Sequence, residues 1–348
     1  MKNLLYISCH ASLERNDLII FNNLGFNVMS IGFYVDPKNP SFQYALPLNY
    51  TVDKELYDHF KLLNPNYEYG YKIPLKLDKD FLDRFDIVIV TWRYDYLKQN
   101  WDLLKDKLVL FQTVGQSEGN REREIAKIRS RGVKVIRMSE SEKNFPGYGG
   151  TDEVIDLSID TSIFKDWVGD DLSVLTINKM MWRKRECNTN LYLQVTNNFP
   201  RKLYGTGNDS FKCEGNLGPI SSDDLIEAYA RSRVCFSIGT KPGPVTMTFK
   251  EAMSAGCPVI TWGPKLGSFS CTKTYTAYKY LENGMNGYYS DDIEELRSYI
   301  DLLFNDYDLA KQISIQARKT ALKHFSIEVI QKKWENLFND LGLITKSV

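Results

Sequence analysis

The sequence predicts an α/β protein built from two domains in which strands and helices alternate. Short apolar runs that suit buried parallel strands recur through the first half, at residues 3–8, 27–33, 85–92, 107–115 and 133–139. Helical segments follow the first and the fourth of these runs, while residues 36–80 are interpreted as an irregular insert, and strands that alternate with helices are typical of a doubly wound parallel sheet. A chain of 348 residues is also long enough for two domains.

The second half repeats the alternation. The composition changes near residues 160–171, which marks the predicted crossover between the domains, and four further strand-like runs follow at 173–178, 201–205, 234–238 and 258–263. We therefore predict one Rossmann-like domain over residues 1–165 and a second over residues 172–325. An amphipathic helix over residues 326–348 is expected to pack back on the first domain.

Two helices of the second half carry start signals. Ser221 is followed three residues later by Asp224, a spacing that is typical of a capped helix. A second capped helix is expected to begin at Ser290.

The composition excludes several classes of protein. Lys+Arg and Asp+Glu both total 44, so the formal net charge is zero and gives no overall attraction to nucleic acid or membrane. No run approaches 18 apolar residues, so we expect no transmembrane span. The six cysteines form no CxxC pair and the three histidines match no zinc-ligand spacing. With no signal-peptide pattern, we expect free thiols and a cytoplasmic location.

Residues 243–267 form the most informative segment. A strand is predicted to end at Ile238 and a helix to begin near Thr246, with Glu251 in the first turns of that helix. The first N–H groups of a helix favour an anion such as a diphosphate, and Thr246 and Thr248 add hydroxyl groups. A carboxylate at Glu251 can accept hydrogen bonds from both hydroxyls of a ribose. The segment therefore predicts a nucleotide site; the alternative is an ordinary helix–strand unit.

This segment resembles the donor-binding motif of GT-B glycosyltransferases, especially the retaining family 4 type. In that family two glutamates are separated by seven residues, and "TMTFKEAMSAGCPVI" at 246–260 matches the second half of the pattern. Glu251 matches the second glutamate, which contacts the donor ribose in the family. Gly243 stands in place of the first glutamate, which touches the transferred sugar there, so that carboxylate is absent.

Two further segments extend the resemblance. Residues 174–185 are similar to a strand followed by basic residues that clamp the diphosphate, which makes Arg183 and Arg185 the candidate catalytic arginines, with Lys184 beside them. A planar guanidinium binds phosphate oxygens bidentately, although a solvated basic turn is the alternative. The complete set of predicted donor-binding residues is Lys179, Tyr204, Gly205, Gly207, Gly243, Val245, Thr246, Met247, Thr248 and Glu251.

The resemblance covers most of residues 173–338 and implies the GT-B fold. That fold has two Rossmann-like domains, a donor/acceptor cleft between them and a C-terminal helix that crosses back. It also implies metal-independent transfer, with retention, from a nucleoside diphosphate sugar. We expect a UDP-sugar as the donor and no cofactor. The Asp-x-Asp triplets at 78–80 and 306–308 are accordingly interpreted as surface features.

The first half is expected to hold the acceptor. His10 lies where the first strand meets the following helix, and ligands of such sheets bind at the carboxyl ends of strands. It is therefore a candidate base or sugar contact, with a purely structural role as the alternative. The other strand-end loops supply five acceptor-side candidates: Arg93, Gln112, Gln116, Arg121 and Arg123.

Several acceptors stay open. The chain looks like small bacteriophage glycosyltransferases, some of which modify hydroxymethylated pyrimidines in DNA. Seven basic side chains in residues 121–137 fit contacts with DNA phosphates, and the aromatic-rich residues 57–72 fit stacking on an extruded base. A solvated helix face is the simpler interpretation of the basic run. The alternatives are a bacterial surface-glycan or lipopolysaccharide enzyme and a non-catalytic sugar-nucleotide binding protein. A nicotinamide-dependent dehydrogenase is disfavoured because no GxGxxG follows the first strand.

Overall fold

The computed structural model describes residues 2–35, 46, 48–67, 75–117, 119–183, 187–268 and 273–344. The chain divides into two compact units. Unit 1 comprises Met1–Glu140, Pro146–Ser158 and Ile327–Val348, and unit 2 comprises Ser141–Phe145 and Ile159–Ser326. Each unit contains one six-stranded sheet. The predicted α/β class with two parallel sheets is confirmed.

The sheet of unit 1 contains β1 (Asn3–Ile7), β2 (Asn27–Ile31), β3 (Ile87–Thr91), β4 (Leu108–Gln112), β5 (Lys134–Arg137) and β6 (Glu153–Val154). All neighbouring strands pair in parallel, in the order β2-β1-β3-β4-β5-β6. Side chains on both faces of the central strands are buried, which explains why these strands are continuous apolar runs in the sequence. The strand order reverses beside β1, so the loops after β1 and β3 leave the sheet in different directions.

In the described parts of unit 1, six α-helices lie between these strands. They are α1 (Ala11–Asn23), α2 (Lys54–Leu63), α3 (Lys79–Leu82), α4 (Tyr94–Gln99), α5 (Trp101–Leu104) and α6 (Asn120–Ser130). Asp53 and Asp78 cap α2 and α3 by accepting a hydrogen bond from the backbone N–H three residues later, at 3.0 and 2.8 Å. Such caps satisfy N–H groups that lack a partner within the helix.

The sheet of unit 2 contains β7 (Asp171–Ile177), β8 (Arg201–Tyr204), β9 (Asn216–Gly218), β10 (Ser232–Ser237), β11 (Val259–Trp262) and β12 (Tyr288–Ser290). These strands are also all parallel, in the order β12-β11-β10-β7-β8-β9. The reversal of strand order lies between β7 and β10. Ligands of open parallel sheets bind at such reversals, outside the carboxyl ends of the strands.

The helices of unit 2 are α7 (Thr189–Val195), α8 (Ser222–Arg231), α9 (Met247–Ser254), α10 (Pro264–Gly267), α11 (Ile293–Asn305) and α12 (Tyr307–Phe325). The predicted cap of α8 is confirmed, because the Ser221 hydroxyl accepts a hydrogen bond from the Asp224 N–H at 3.1 Å. None of the described helices combines the length and the apolar character needed to cross a bilayer.

The last helix, α13 (Ile327–Asp340), belongs to unit 1. Its aromatic side chains pack edge-to-face on α1 and on the turn after it. The ring centroids of Phe21 and Trp334 lie 5.2 Å apart, and those of Phe26 and Phe338 lie 4.8 Å apart. Trp334 and Phe338 are fully buried, so this contact is part of the core of unit 1.

The C-terminal part of unit 2 differs from the prediction in two places. Helix α11 begins at Ile293, and its cap is Asp292, which accepts a hydrogen bond from the Glu295 N–H at 3.0 Å. The predicted start at Ser290 was wrong because Ser290 is the last residue of β12. The 19-residue helix α12 was missed because alanines form much of its buried face, as at Ala310, Ala317 and Ala321.

The two Asp-x-Asp triplets cap helices. Asp78 caps α3, and Asp306 caps α12 by accepting a hydrogen bond from the Leu309 N–H at 2.9 Å. Their first carboxylates are therefore used by the backbone, which agrees with the interpretation of these triplets as surface features.

An ion pair lies within the core of unit 1. Arg137 at the end of β5 and Glu122 in α6 are both fully buried, and two N–H···O contacts of 2.8 Å join them. Glu122 also accepts a hydrogen bond from the Gly149 N–H at 2.7 Å. Burial alone would raise the pKa of Glu122, but the hydrogen bonds from Arg137, Ser117 and Gly149 together with the Arg137 charge outweigh it and hold the pKa below its usual value.

We expect Glu122→Gln to lower the free energy of unfolding by about 3–5 kcal/mol, because it leaves the Arg137 cation buried without its partner. Urea denaturation measures the loss. Lys127→Gln is the control, since Lys127 and Glu124 form an exposed pair in the same helix at 2.8 Å. Its removal is expected to cost less than about 1 kcal/mol. Equal losses for the two variants would contradict the assigned role of the buried pair.

Candidate nucleotide-sugar site

Three strand-end loops of unit 2 are tied together at the reversal of strand order. Asn178, directly after β7, donates a side-chain hydrogen bond to the carbonyl of Gly239 after β10, at 3.0 Å. Asn208, in the turn after β8, donates to the carbonyl of Asn178 at 2.8 Å and accepts from the Met181 N–H at 2.8 Å. Two asparagine side chains thus fix the loops that flank the position where such a sheet binds a ligand.

The glycines predicted to lie beside a nucleotide are required by the backbone itself. Gly205 has a φ of +148°, and a Cβ there would lie 2.0 Å from the Asn178 carbonyl oxygen. Gly207 has a φ of +72°, and a Cβ there would lie 2.9 Å from the Met180 side chain. These two glycines follow Tyr204, the last residue of β8. Their immediate role is therefore to let the turn after β8 pack against the loop after β7.

Helix α9 begins directly after the loop that follows β10. Thr246 is its cap and accepts a hydrogen bond from the Phe249 N–H at 3.3 Å, and the hydroxyls of Thr246 and Thr248 lie 3.0 Å apart. Val245 is buried, and the N–H of Gly243 donates to the Thr240 carbonyl at 2.6 Å. The first turn, starting at Met247, presents N–H groups and two hydroxyls at one end of the helix, an arrangement that favours an anion.

Glu251 lies in the second turn of α9. The Tyr229 hydroxyl lies 3.3 Å from its Oε2 atom and 3.3 Å from the Thr248 carbonyl oxygen. Burial raises the pKa of Glu251 to about 7, although the Tyr229 hydrogen bond and the nearby Lys179 cation both lower it. The fold thus brings Lys179, after β7, close to Glu251, in α9.

Of the two arginines predicted to clamp the diphosphate, the structure describes only Arg183. Arg183 lies in the turn after β7, where its guanidinium carbon is 5.3 Å from the centre of the Trp182 ring. The Trp182 side chain is about half exposed. Lys184 and Arg185 lie outside the described residues, so the clamp stays a prediction.

The candidate His10 of unit 1 caps α1. Its Nδ1 atom accepts a hydrogen bond from the Leu13 N–H at 3.5 Å. A neutral imidazole that accepts at Nδ1 carries its proton at Nε2, so that side of the exposed ring is a hydrogen-bond donor. This arrangement suits contact with a sugar or phosphate oxygen better than proton abstraction.

Gln112 belongs to a buried network beneath the carboxyl ends of the strands. Its Oε1 atom accepts a hydrogen bond from Thr91 at 3.0 Å and lies 3.4 Å from the Tyr6 hydroxyl, which donates to Asp17 at 2.7 Å. Burial raises the pKa of Asp17 to about 7. Gln112 therefore links β4 to β1 and β3, a structural use of the side chain.

The other acceptor-side candidates differ in exposure. Gln116 and Arg123 are exposed, and Arg123 donates to the Asn120 side chain. Arg93 is buried after β3. Arg121, at the start of α6, stacks on Trp92. Arg93 therefore lies on a loop at the reversal beside β1, and Arg121 contacts that loop through Trp92.

Some residues that shape these sites gave no sequence signal. Tyr229 is 22 positions from Glu251 and on another helix, and Asn208 is 30 positions from Asn178. Glu14 in α1 is fully buried and accepts hydrogen bonds from Ser30 and from two backbone N–H groups, at 2.6–3.1 Å. Burial raises its pKa to about 7. Only the fold brings these partners together.

Comparison with known proteins gives the class of the protein. Residues 185–336 match the family model described as "Glycosyl transferase-like". Sucrose-phosphate synthase from Thermosynechococcus elongatus is similar, with a TM-score of 0.65 and 14% identity, covering 98% of this chain and 99% of that one. A glycosyltransferase from Rickettsia africae has a TM-score of 0.63 and 17% identity over 99% of both chains. Anabaena HepE, solved with UDP-glucose, has a TM-score of 0.63 and 13% identity over 98% and 100%. Among curated protein sequences nothing matches.

The chain has the GT-B fold of these glycosyltransferases, and residues 185–336 are the part that matches a glycosyl transferase family model. This confirms the predicted fold and enzyme class. The resemblance to the retaining family 4 type and to bacteriophage enzymes stays a prediction.

We expect Tyr229→Phe to raise the pKa of Glu251 further, because the Tyr229 hydrogen bond is one of the contacts that lower it. A ¹³C NMR titration of the glutamate side chains measures the shift. Tyr192→Phe is the control, since the buried Tyr192 hydroxyl contacts no hydrogen-bond partner among the described residues. An unchanged Glu251 titration in Tyr229→Phe would contradict the assigned contact.

Proposed function

We propose that the protein transfers a sugar from a UDP-sugar to an acceptor hydroxyl, without a metal ion and with retention. The observation that carries the donor proposal is the meeting of Lys179, Glu251 and the start of α9 at the strand reversal of unit 2. Anabaena HepE, which is similar in fold, was solved with UDP-glucose, and this supports UDP as the nucleotide. Retention is proposed from the resemblance of residues 246–260 to the family 4 motif.

Each donor group has a proposed partner in unit 2. The ribose hydroxyls donate to the Glu251 carboxylate, and the diphosphate lies at the start of α9 beside the hydroxyls of Thr246 and Thr248. Lys179, Arg183 and Arg185 supply positive charge to the diphosphate. Because the UDP leaving group gains negative charge as the glycosidic bond breaks, these groups stabilise the transition state more than the ground state.

Gly243 affects which sugars the donor site can bind. It occupies the position of the first motif glutamate, and its N–H is used in a turn with Thr240. A glycine offers no carboxylate to sugar hydroxyls, so we propose that this part of the donor site tolerates sugars that differ in those hydroxyls. Transfer assays with several UDP- and GDP-sugars test this tolerance.

The first acceptor proposed is a 5-hydroxymethylpyrimidine in DNA. Contacts with DNA phosphates would need basic side chains that are not already in ion pairs. In the basic run, however, Arg137, Arg129 and Lys127 are paired with acidic side chains of unit 1. In the aromatic-rich segment, the rings of Phe60 and Tyr67 pack on each other in the core, 5.1 Å apart. Residues 68–72 of that segment lie outside the described residues.

This pairing of charges favours a second candidate, transfer to a bacterial surface glycan, because that acceptor needs no extended phosphate contact. The test is mass spectrometry of nucleosides from 5-hydroxymethylcytosine or 5-hydroxymethyluracil DNA, after incubation with the protein and the sugar nucleotides. A sugar mass increment supports the DNA acceptor. Donor hydrolysis without an increment excludes it and favours a glycan. Donor binding with neither product nor hydrolysis would indicate the non-catalytic binding protein.

We expect UDP affinity to rise with pH between 6 and 8. With a pKa of about 7, Glu251 is mostly protonated at pH 6 and ionised at pH 8, and the ionised form accepts from both ribose hydroxyls. The affinity for UDP is expected to rise about tenfold, because only about a tenth of the Glu251 carboxyls are ionised one pH unit below the pKa. Isothermal titration calorimetry with UDP measures it.

Glu251→Gln is expected to bind UDP weakly and to keep only the pH dependence that UDP's own phosphate causes. Identical pH profiles for the wild type and this variant would show that Glu251 does not contact the nucleotide.

A further inference from the structure

Helix α12 of unit 2 presents an apolar stripe to solvent. Ile315 is 49% exposed and Leu322 is 44% exposed. The opposite face of the same helix is buried, at Ala310, Ala317 and Ala321. Side chains seven positions apart lie on the same side of a helix, so the two exposed side chains form one stripe. A helix that packs on one face normally has polar side chains on the other, and this stripe departs from that pattern.

Further apolar side chains continue the stripe at the start of α12. Tyr307, the first residue of the helix, and Val168 are both exposed. The Tyr307 hydroxyl donates to the Val168 carbonyl oxygen at 3.2 Å, and its ring stacks on Trp167 with the ring centroids 5.8 Å apart. Trp167, Ile315 and Leu322 together line a groove of about 320 Å³. Exposed apolar side chains that cluster in this way mark an interaction surface, whereas scattered ones need no explanation.

Three lysines flank the stripe. Lys311, Lys319 and Lys323 are exposed, and the spacing of four residues places them in one row with Ile315 along the helix. None of the three lysines has an acidic side chain within ion-pair distance in the part of the chain that the structure describes. Their positive charge is therefore available to a partner outside the chain.

The acidic groups near this surface do not balance the three lysines. Asp308, in the first turn, is the acidic residue of α12. Asp166 is fully exposed and lies 3.7 Å from Arg318, and an exposed ion pair of this length contributes little. Arg318 also donates to the carbonyl oxygens of Lys165 and Phe164, at 3.3 and 3.4 Å, so it is already used within unit 2. The whole chain has no net charge, so the positive charge here is a local excess.

We propose that this surface docks unit 2 on an anionic lipid membrane. The α12 face, as we call it, comprises Lys311, Ile315, Lys319, Leu322 and Lys323. Its two apolar side chains enter the lipid, and its lysines contact the phosphates of the headgroups. An apolar stripe flanked by lysines is typical of helices that lie in the plane of a membrane interface. Trp167 and Tyr307 add aromatic rings, which are enriched at the same depth.

The α12 face fits a lipid surface better than a second copy of the chain. In a twofold dimer the same face would oppose itself, so lysines would meet lysines and repel each other. A stable protein interface also buries about 800 Å² on each partner, which is more than a stripe of a few side chains supplies. Membrane binding needs less apolar contact, because each lysine near an anionic surface adds about fivefold in affinity. This inference goes beyond the proposed sugar transfer and does not depend on it.

The test is sedimentation of the full chain with vesicles made of equal parts phosphatidylglycerol and phosphatidylcholine. Binding is expected, and it is expected to weaken at least tenfold on vesicles of phosphatidylcholine alone and to fall as the salt concentration rises. Lys311→Gln/Lys319→Gln is expected to weaken binding to the mixed vesicles at least tenfold. The matched control is Lys105→Gln/Lys333→Gln, which removes the same charge from two exposed lysines of unit 1. This control is expected to bind within twofold of the wild type.

The apolar stripe is tested separately. Ile315→Ser/Leu322→Ser is expected to weaken binding to the mixed vesicles at least fivefold, because the apolar side chains no longer enter the lipid. Leu62→Ser/Leu217→Ser is the matched control, since both of these leucines are exposed but lie on other elements. It is expected to bind within twofold of the wild type. Circular dichroism verifies that each variant is folded.

Absent binding to the mixed vesicles overturns the proposal. Equal weakening in the two lysine variants also overturns it, because it would show a general attraction of charge, and so does undiminished binding of Ile315→Ser/Leu322→Ser. A dimer that analytical ultracentrifugation detects and that the same serine variant abolishes would assign the face to a second copy instead. Failure of the donor proposal is distinguishable, since UDP binding would be absent while the effect of Lys311→Gln/Lys319→Gln on vesicle binding persists.

Discussion

The reversal of strand order beside the first strand of each sheet is the constraint on which both candidate sites depend. A parallel sheet that grows to both sides of its first strand must send two neighbouring loops in opposite directions. In unit 2 these loops carry Lys179 and lead to the start of α9, and in unit 1 they carry His10 and Arg93. The side chains named here come from the loops and helices that follow the strands and not from the sheets. Their role is to fix where the loops begin.

The conformation of the loops is then fixed by hydrogen bonds from side-chain amides, in addition to the positions of the strands. The side chain of Asn178 makes one hydrogen bond to a backbone group and that of Asn208 makes two, and Gly205 lets the two turns approach closely. A site for a charged ligand benefits from this rigidity, because the donors are oriented before the ligand arrives and little reorganisation is needed when charge develops.

Sequence patterns predicted the parts of the protein that depend on local chemistry. The strands were visible as apolar runs, the cap at Ser221 followed from its spacing to Asp224, and the helix that begins after Thr246 was found from its motif. Alanine-rich α12 escaped because alanine gives little contrast between buried and exposed positions. The contacts of Glu251 with Tyr229 and of Glu122 with Arg137 also escaped, because nothing in a linear pattern shows which distant charges or hydroxyls become partners.

The three carboxyl groups with pKa values near 7 link protonation to folding. Glu14, Asp17 and Glu251 each have a pKa in the folded protein above that of an unfolded chain. The native state therefore binds more protons than the unfolded state between about pH 4 and 7, so the free energy of unfolding falls as the pH rises through that range. At neutral pH an ionised Glu251 carries a cost of desolvation, so any ligand that donates hydrogen bonds to this carboxylate would also stabilise the fold of unit 2.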